Sequence, residues 1–156
     1  MKQNVLDSVD KNILRELQNE GRLSVVELAN RVHLTKTPCA ERVRRLEKIG
    51  YIKGYQAMLA ADRLGCAYES FVQVTLSHTT TDILNAFNQA VAEIDEVQSC
   101  HMIAGGFDYL LKVRTRDVAH YREVLGSTLA TLPGVQQTHT YVVMESVKDE
   151  SRLVIK

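Results

Sequence analysis

Little in this 156-residue sequence provides for a covalent scaffold. Its three cysteines, Cys39, Cys66 and Cys100, are odd in number and nowhere form a C-x-x-C pair, which excludes a disulfide framework and a zinc knuckle and fits a reducing compartment. Long apolar runs are missing too. The opening MKQNVLDSVDKNILRELQNE is interrupted by charge throughout, so neither a secretory signal nor a membrane span is expected, and a cytoplasmic location is. Net charge is also lacking: 19 basic side chains offset 19 acidic ones, a balance that by itself argues against a nucleic-acid partner.

That balance hides an asymmetry. Residues 1–60 carry eleven Lys and Arg against seven Asp and Glu, whereas residues 61–156 carry eight against twelve. Opposite signs in the two halves suggest two tasks. A hydrophobic fraction of 45% is enough to bury a core in each. The expected division is therefore a basic domain over 1–60 and a second domain over 61–156, with the connection in the aperiodic stretch 59–69.

In the first half, Val9, Ile13, Leu14 and Leu17 recur at helical spacing after Asp7, an N-cap residue type, and stop at Gly21, which suits a left-handed C-cap. Ser24 and Glu27 make an S-x-x-E capping box, with Leu23 and Leu28 placed as a hydrophobic staple. This second helix ends near His33-Leu34. Thr35 then offers a cap before Lys36-Thr37-Pro38, where proline is harmless in a first turn. In the third helix Cys39, Val43, Leu46 and Ile49 form the apolar side. Thr37, Glu41, Arg44, Arg45 and Lys48 are expected opposite it, with Arg42 at the flank. Two short helices joined by a tight turn, the second basic on its outer face, suit the major groove of double-stranded DNA, where arginine bridges guanine acceptors. Tyr51–Tyr55 reads as a strand or wing, from which Lys53 could reach a phosphate.

The second half alternates. Val72, Val74 and Leu76 mark a strand; Ile83, Leu84, Phe87, Val91 and Ile94 a helix; Val97 to Ile103 and Asp108 to Thr115 two further strands around a Gly105-Gly106 turn. A second helix carries Val118, Tyr121, Leu125, Leu129 and Leu132 up to Pro133-Gly134, and a strand from Val135 to Met144 follows. This order predicts a ferredoxin-like βαββαβ sandwich, so the chain is expected to be α+β with a winged-helix-like helix-turn-helix in front. One sheet face would expose Phe71, Tyr141 and Val143, and a homodimer is expected to cover it.

Chemistry of an enzyme is not indicated. Cys100 and His101 are neighbours on a strand and point to opposite faces, and His33, His78, His120 and His139 are scattered without ligand spacing, so no metal or other cofactor is expected. An amino-acid-sensing module that regulates a protein partner without touching DNA is the alternative reading, compatible with the Gly105-Gly106 turn.

Several stretches together carry a resemblance: TPCAERVRRLE at 37–47, FDYLLK at 107–112, LPGV at 132–135, TYVVME at 140–145 and SRLVIK at 151–156. In them the sequence resembles the Lrp/AsnC, or feast/famine, family of transcription regulators over essentially its whole length. The resemblance implies an N-terminal DNA-binding domain and a C-terminal domain that oligomerises and binds a small amino acid such as leucine or methionine. It implies dimers that assemble to octamers or similar discs. It also implies an effector cleft between dimers, built around Gly105, Gly106, Phe107 and Asp108 with Met102, Thr140 and Val142 nearby. Thr35-Lys36 before Thr37-Pro38 and Gly106 depart from the common pattern, the first bearing on operator sequence and the second on effector choice.

Overall fold

The computed structural model describes residues 6–156 and resolves into two compact units, one comprising residues up to Met58 together with Lys148–Lys156, the other Leu59–Val147. The protein is α+β, with a helical first unit and a sheet-based second one.

Three helices make up the first unit: α1 (Ser8–Asn19), α2 (Val25–Arg31) and α3 (Lys36–Lys48). Asp7 caps α1, accepting from the Asp10 amide at 2.8 Å while the Asp10 carboxylate accepts from the Asp7 amide, a reciprocal capping box that satisfies two otherwise unpaired donors. Ser24 and Glu27 close the second box as the S-x-x-E spacing implies. Thr35 occupies the N-cap of α3, although its hydroxyl makes no cap bond. Ile13, Leu28, Ala29, Val32, Cys39 and Leu46 form the core, flanked by Leu14, Leu17, Leu23, Val43 and Ile49.

The turn between α2 and α3 is closed by His33 at φ 56°, a left-handed conformation taken by a side chain that does not favour it. Two local expectations need correcting. Gly21 is not left-handed, because α1 already ends at Glu20, whose amide donates to Glu16. Tyr51–Tyr55 forms no strand: the amides of Tyr51 and Ile52 both turn back to the Leu46 carbonyl and hold the segment against the end of α3 as a loop.

In the second unit the order is β1 (Tyr68–Leu76), α4 (Thr81–Ala92), β2 (Val97–Met102), β3 (Tyr109–Thr115), α5 (Val118–Ser127), a 3-10 turn (Leu129–Thr131) and β4 (Val135–Val142). The four strands lie β2-β3-β1-β4, all antiparallel, which is the ferredoxin-like arrangement. Strict alternation along β1 and β3 sends Val72, Val74, Tyr109, Leu111 and Val113 to one face, where Phe87 and Val91 of α4 and Tyr121 and Val124 of α5 cover them.

Differences from expectation are again local. β1 begins at Tyr68, inside the stretch assigned to the connection. The final helix breaks after Ser127, because the hydroxyls of Ser127 and Thr131 bond to backbone carbonyls of the preceding turn and compete with the helical ladder. Gly134, at φ 75°, makes the tight turn into β4, and a Cβ there would drive into Ile83. The last nine residues, expected in the second domain, belong to the first unit because they lie along α1.

Candidate functional site

The outer surface of α3 follows from helical geometry. Taking buried Leu46 as the inward reference and about 100° per residue, Thr37, Arg44 and Lys48 fall within about 20° of directly outward and Glu41 within about 40°. All four are exposed, as is Lys36 in the first turn. Arg44, Lys36, Lys48 and Lys53 have no ion-pair partner among the described residues.

Arg42 and Arg45 behave differently. The same wheel places them about 40° and about 100° from Leu46, so their guanidinium groups turn toward α1. Arg42 Nη1 donates to Asp7 Oδ2 at 2.6 Å and to Asp10 Oδ1 at 2.8 Å, and Arg45 Nη2 donates to Asp10 Oδ2. Asp10 is 1% exposed, while the Arg42 and Arg45 side chains remain 31% and 42% exposed. Burial pushes the Asp10 carboxyl up, but the hydrogen bonds from Arg45 and Arg42 outweigh it and hold the group below its ordinary value. The Asp10 amide, followed by Arg42, lowers Asp7, and the two carboxylates in turn raise Arg42.

Pro38 and Glu41 line the same concavity as these four charged groups. Asp10 therefore fixes α3 against α1 through two arginines of α3. Sequence reasoning missed this role, although an acid on the apolar stripe shared by Ile13, Leu14 and Leu17 was its visible signal.

In the second unit, Met102, Gly105, Gly106, Phe107 and Asp108 gather at the β2–β3 turn. The turn is tied down by Ile103 N–H to Asp108 O at 2.8 Å and Asp108 N–H to Val74 O at 3.0 Å. The Asp108 carboxylate accepts from the Leu76 amide at 2.7 Å, beside the irregularity where β1 and β4 shift register. Neither Gly105 nor Gly106 is left-handed; a Cβ on Gly106 would meet nothing within 4 Å, and one on Gly105 would make only an ordinary contact with Ile103 at 3.6 Å. Met102 is 58% exposed.

Thr140 and Val142 are not brought to this turn. They lie on β4, at the opposite edge of the sheet, three strand spacings or about 14 Å from β2. The Thr140 hydroxyl is paired with the Tyr121 hydroxyl at 2.5 Å, while Val142 is exposed.

The open sheet face carries Phe71 opposite Tyr141, the latter 54% exposed, with Val143 beside them. Next to them Glu69 is buried against Lys112 at 3.4 Å and against Arg114, and Lys112 is itself the cross-strand partner of Phe71, so aromatic and ionic side chains share this face. Cys100 is half-buried, burial pushing its thiol up, and His101 is exposed. Among the described residues no cluster of three His, Cys, Asp or Glu could hold a metal ion, and no helix is long and apolar enough to cross a membrane.

Comparison with known proteins also divides the chain between residues 53 and 69, although the second family model runs on into the returning segment. A family model described as "Winged helix-turn-helix DNA-binding" matches residues 6–53, and one described as "Lrp/AsnC ligand binding domain" matches 69–153. The leucine-responsive regulatory proteins of Klebsiella pneumoniae and Escherichia coli K12 are each 54% identical over 151 residues, covering 97% of this chain and 92% of theirs. A transcriptional regulator of Neisseria meningitidis, solved as an L-Met complex, superposes with a TM-score of 0.91 at 32% identity, over 96% of this chain and 97% of its own. The family is one of transcription regulators and not of enzymes. With helix-turn-helix and ligand-binding models accounting for both units, the chain belongs to the Lrp/AsnC family of transcription regulators.

Proposed function

We propose that this regulator reads double-stranded DNA with the outer face of α3 and adjusts that binding, or its own assembly, to the concentration of a small apolar amino acid. The observation that carries the DNA reading is the division of charge on α3. Arg42 and Arg45 are committed to Asp7 and Asp10, whereas Arg44, Lys48 and Lys36 project outward beside Thr37 and Glu41. Arg44 is the candidate for base-edge contact, Glu41 and Thr37 for neighbouring edges, and Lys36, Lys48 and Lys53 for phosphates, with Pro38 setting the entry of the helix. Arg42 and Arg45 act first by orienting α3, and their exposed edges add to the field that attracts DNA.

For the effector, leucine or methionine is favoured by the names of the relatives. The open backbone at Gly106 supports a close approach, and apolar Met102 and Phe107 beside it suit an apolar side chain. A site that also uses Thr140 and Val142 draws on a second copy of the chain in this reading, since one sheet holds Met102 and these β4 residues at opposite edges. Pairing through the Phe71 and Tyr141 face gives a cytoplasmic homodimer, and further association of dimers toward an octamer would bring turn and edge together. An effector bound there favours one association state over another by differential affinity.

Thermal-shift screening against the twenty amino acids, followed by DNA titration with and without each hit, tests this reading. Leucine or methionine should raise the melting temperature and change the apparent affinity for a selected duplex. No hit among the twenty would overturn the sensor half of the proposal, and absence of any duplex preference the DNA half.

A further inference from the structure

The chain leaves the first unit after Met58 and re-enters it at Lys148, so the helix-turn-helix is joined to the effector unit by two covalent connections. The returning segment 148–156 has no regular structure, yet its backbone is held at defined points. Gln18 Oε1 accepts from the Leu153 amide at 2.6 Å and Gln18 Nε2 donates to the Leu153 carbonyl at 2.9 Å. One side-chain amide thus grips both polar groups of one residue, as a neighbouring strand would. Arg15 Nη2 donates to the Ile155 carbonyl at 2.8 Å, and Arg152 Nη1 to Asn19 Oδ1 at 3.3 Å. Arg15, Gln18 and Asn19 share one face of α1 at i, i+3 and i+4 spacing.

Beside these bonds Ile155 is half-buried in a groove whose walls are Leu14 and Leu17 of α1 and Ile52 and Tyr55 of the segment that follows α3. The tail therefore spans from α1 to the exit of the recognition helix. It is lightly held: Leu153 and Val154 are exposed, and all four hydrogen bonds are open to water, which competes for each of them.

We propose that residues 148–156 are a releasable strap on the DNA-binding unit, through which a change at the end of β4 in the effector unit is delivered to the recognition helix. A lightly bonded segment can be withdrawn by modest displacement of the residues leading into it, and here those residues follow β4 directly. Withdrawal frees the groove between α1 and residues 51–55, the elements that brace α3 from behind.

The inference rests on the effector-responsive reading above, so its test has two arms, each with the intact full chain as its reference. Hydrogen exchange is compared for the intact protein, for a form ending at Val147, and for an Arg15→Ala, Gln18→Ala double variant whose tail is present but unpinned. Amide exchange in α1 and at 51–55 should quicken by about tenfold in both altered forms while the β1–β3 ladder keeps its protection. Unchanged exchange would overturn the strap. Protection in the intact protein that vanishes on dilution would also overturn it, by showing that the tail comes from a second copy.

In the other arm DNA affinity is titrated with and without leucine or methionine, and amino-acid binding is followed separately by calorimetry. The altered forms should still bind the amino acid and the duplex, but the amino-acid-induced change in DNA affinity should collapse to within about twofold. A response of undiminished size would refute the delivery role. If the intact protein itself shows no response, the sensor reading fails, and exchange alone still decides whether the strap exists.

Discussion

In the first unit, α1, α2 and α3 follow one another between Ser8 and Lys48, pack around a small apolar core and are aligned by two capping boxes and one buried carboxylate. In the second, β1 pairs with β3 and β4 from far along the chain, and the unit is fixed by an alternating apolar ladder under two helices. The contrast matters for function. A recognition helix pinned by ion pairs is aligned through charge, whereas a sheet pinned by packing changes only by repacking, and exposed turns and edges are left to bind.

Four variants probe that contrast, in falling order of effect. Gly134→Val should be the most damaging, since it forces a branched residue to φ 75° and drives its Cβ into Ile83. A loss of about 3–5 kcal/mol is expected in chemical denaturation, appearing as lost exchange protection in β4 and α4 and not in α3. Leu46→Ala, at a fully buried site of the other core, should cost about 2–5 kcal/mol and show the reverse exchange pattern. A variant that loosened both units equally would break the comparison.

Asp10→Asn comes next, with a loss of about 1–3 kcal/mol at neutral pH because two arginines lose their shared acceptor charge while keeping access to water. Its acid behaviour sharpens the point. The folded-state carboxyl of Asp10 is depressed, so the stability it contributes is complete above the ordinary value of 3.8 and fades as pH falls through the lower folded value. Denaturation followed from pH 5 downward should show that fading in the parent, and less of it in Asp10→Asn; parallel curves would remove Asp10 as the hub. The smallest effect is a gain. His33→Gly, which relieves a left-handed side chain in the turn before α3, should stabilise by roughly 1 kcal/mol, and a loss would mean that the imidazole does work the geometry does not reveal.

Much of this was legible beforehand. Ser24-x-x-Glu27 announces the start of α2, the 39, 43, 46, 49 stripe announces α3, and the period-two runs around Val72 and Leu111 announce strands whose order follows from topology. Local rules suffice wherever a signal and its partner are close in sequence. They fail where the partner is distant. Arg42 and Arg45 read as part of a basic face, because nothing at their own positions reveals a buried acid some 35 residues earlier. Asp108, an effector ligand by resemblance, also accepts from the Leu76 amide through one carboxylate oxygen, a partner across the sheet that its own position does not announce. The tail 148–156 read as the end of the second domain, because the side chains that hold it, Arg15 and Gln18, are ordinary surface residues until the chain returns to them.

The central claim is that α3 faces DNA with Arg44 and Lys48 while Arg42 and Arg45 serve its alignment. Its most direct test is the affinity of Arg44→Ala and Lys48→Ala for a selected duplex across a salt series, with unfolding followed alongside. The account predicts unaltered stability in both, a loss of roughly tenfold to a hundredfold with relaxed sequence preference for Arg44→Ala, and for Lys48→Ala a salt slope shallower by about one. Parental affinity, preference and slope in both variants would contradict it.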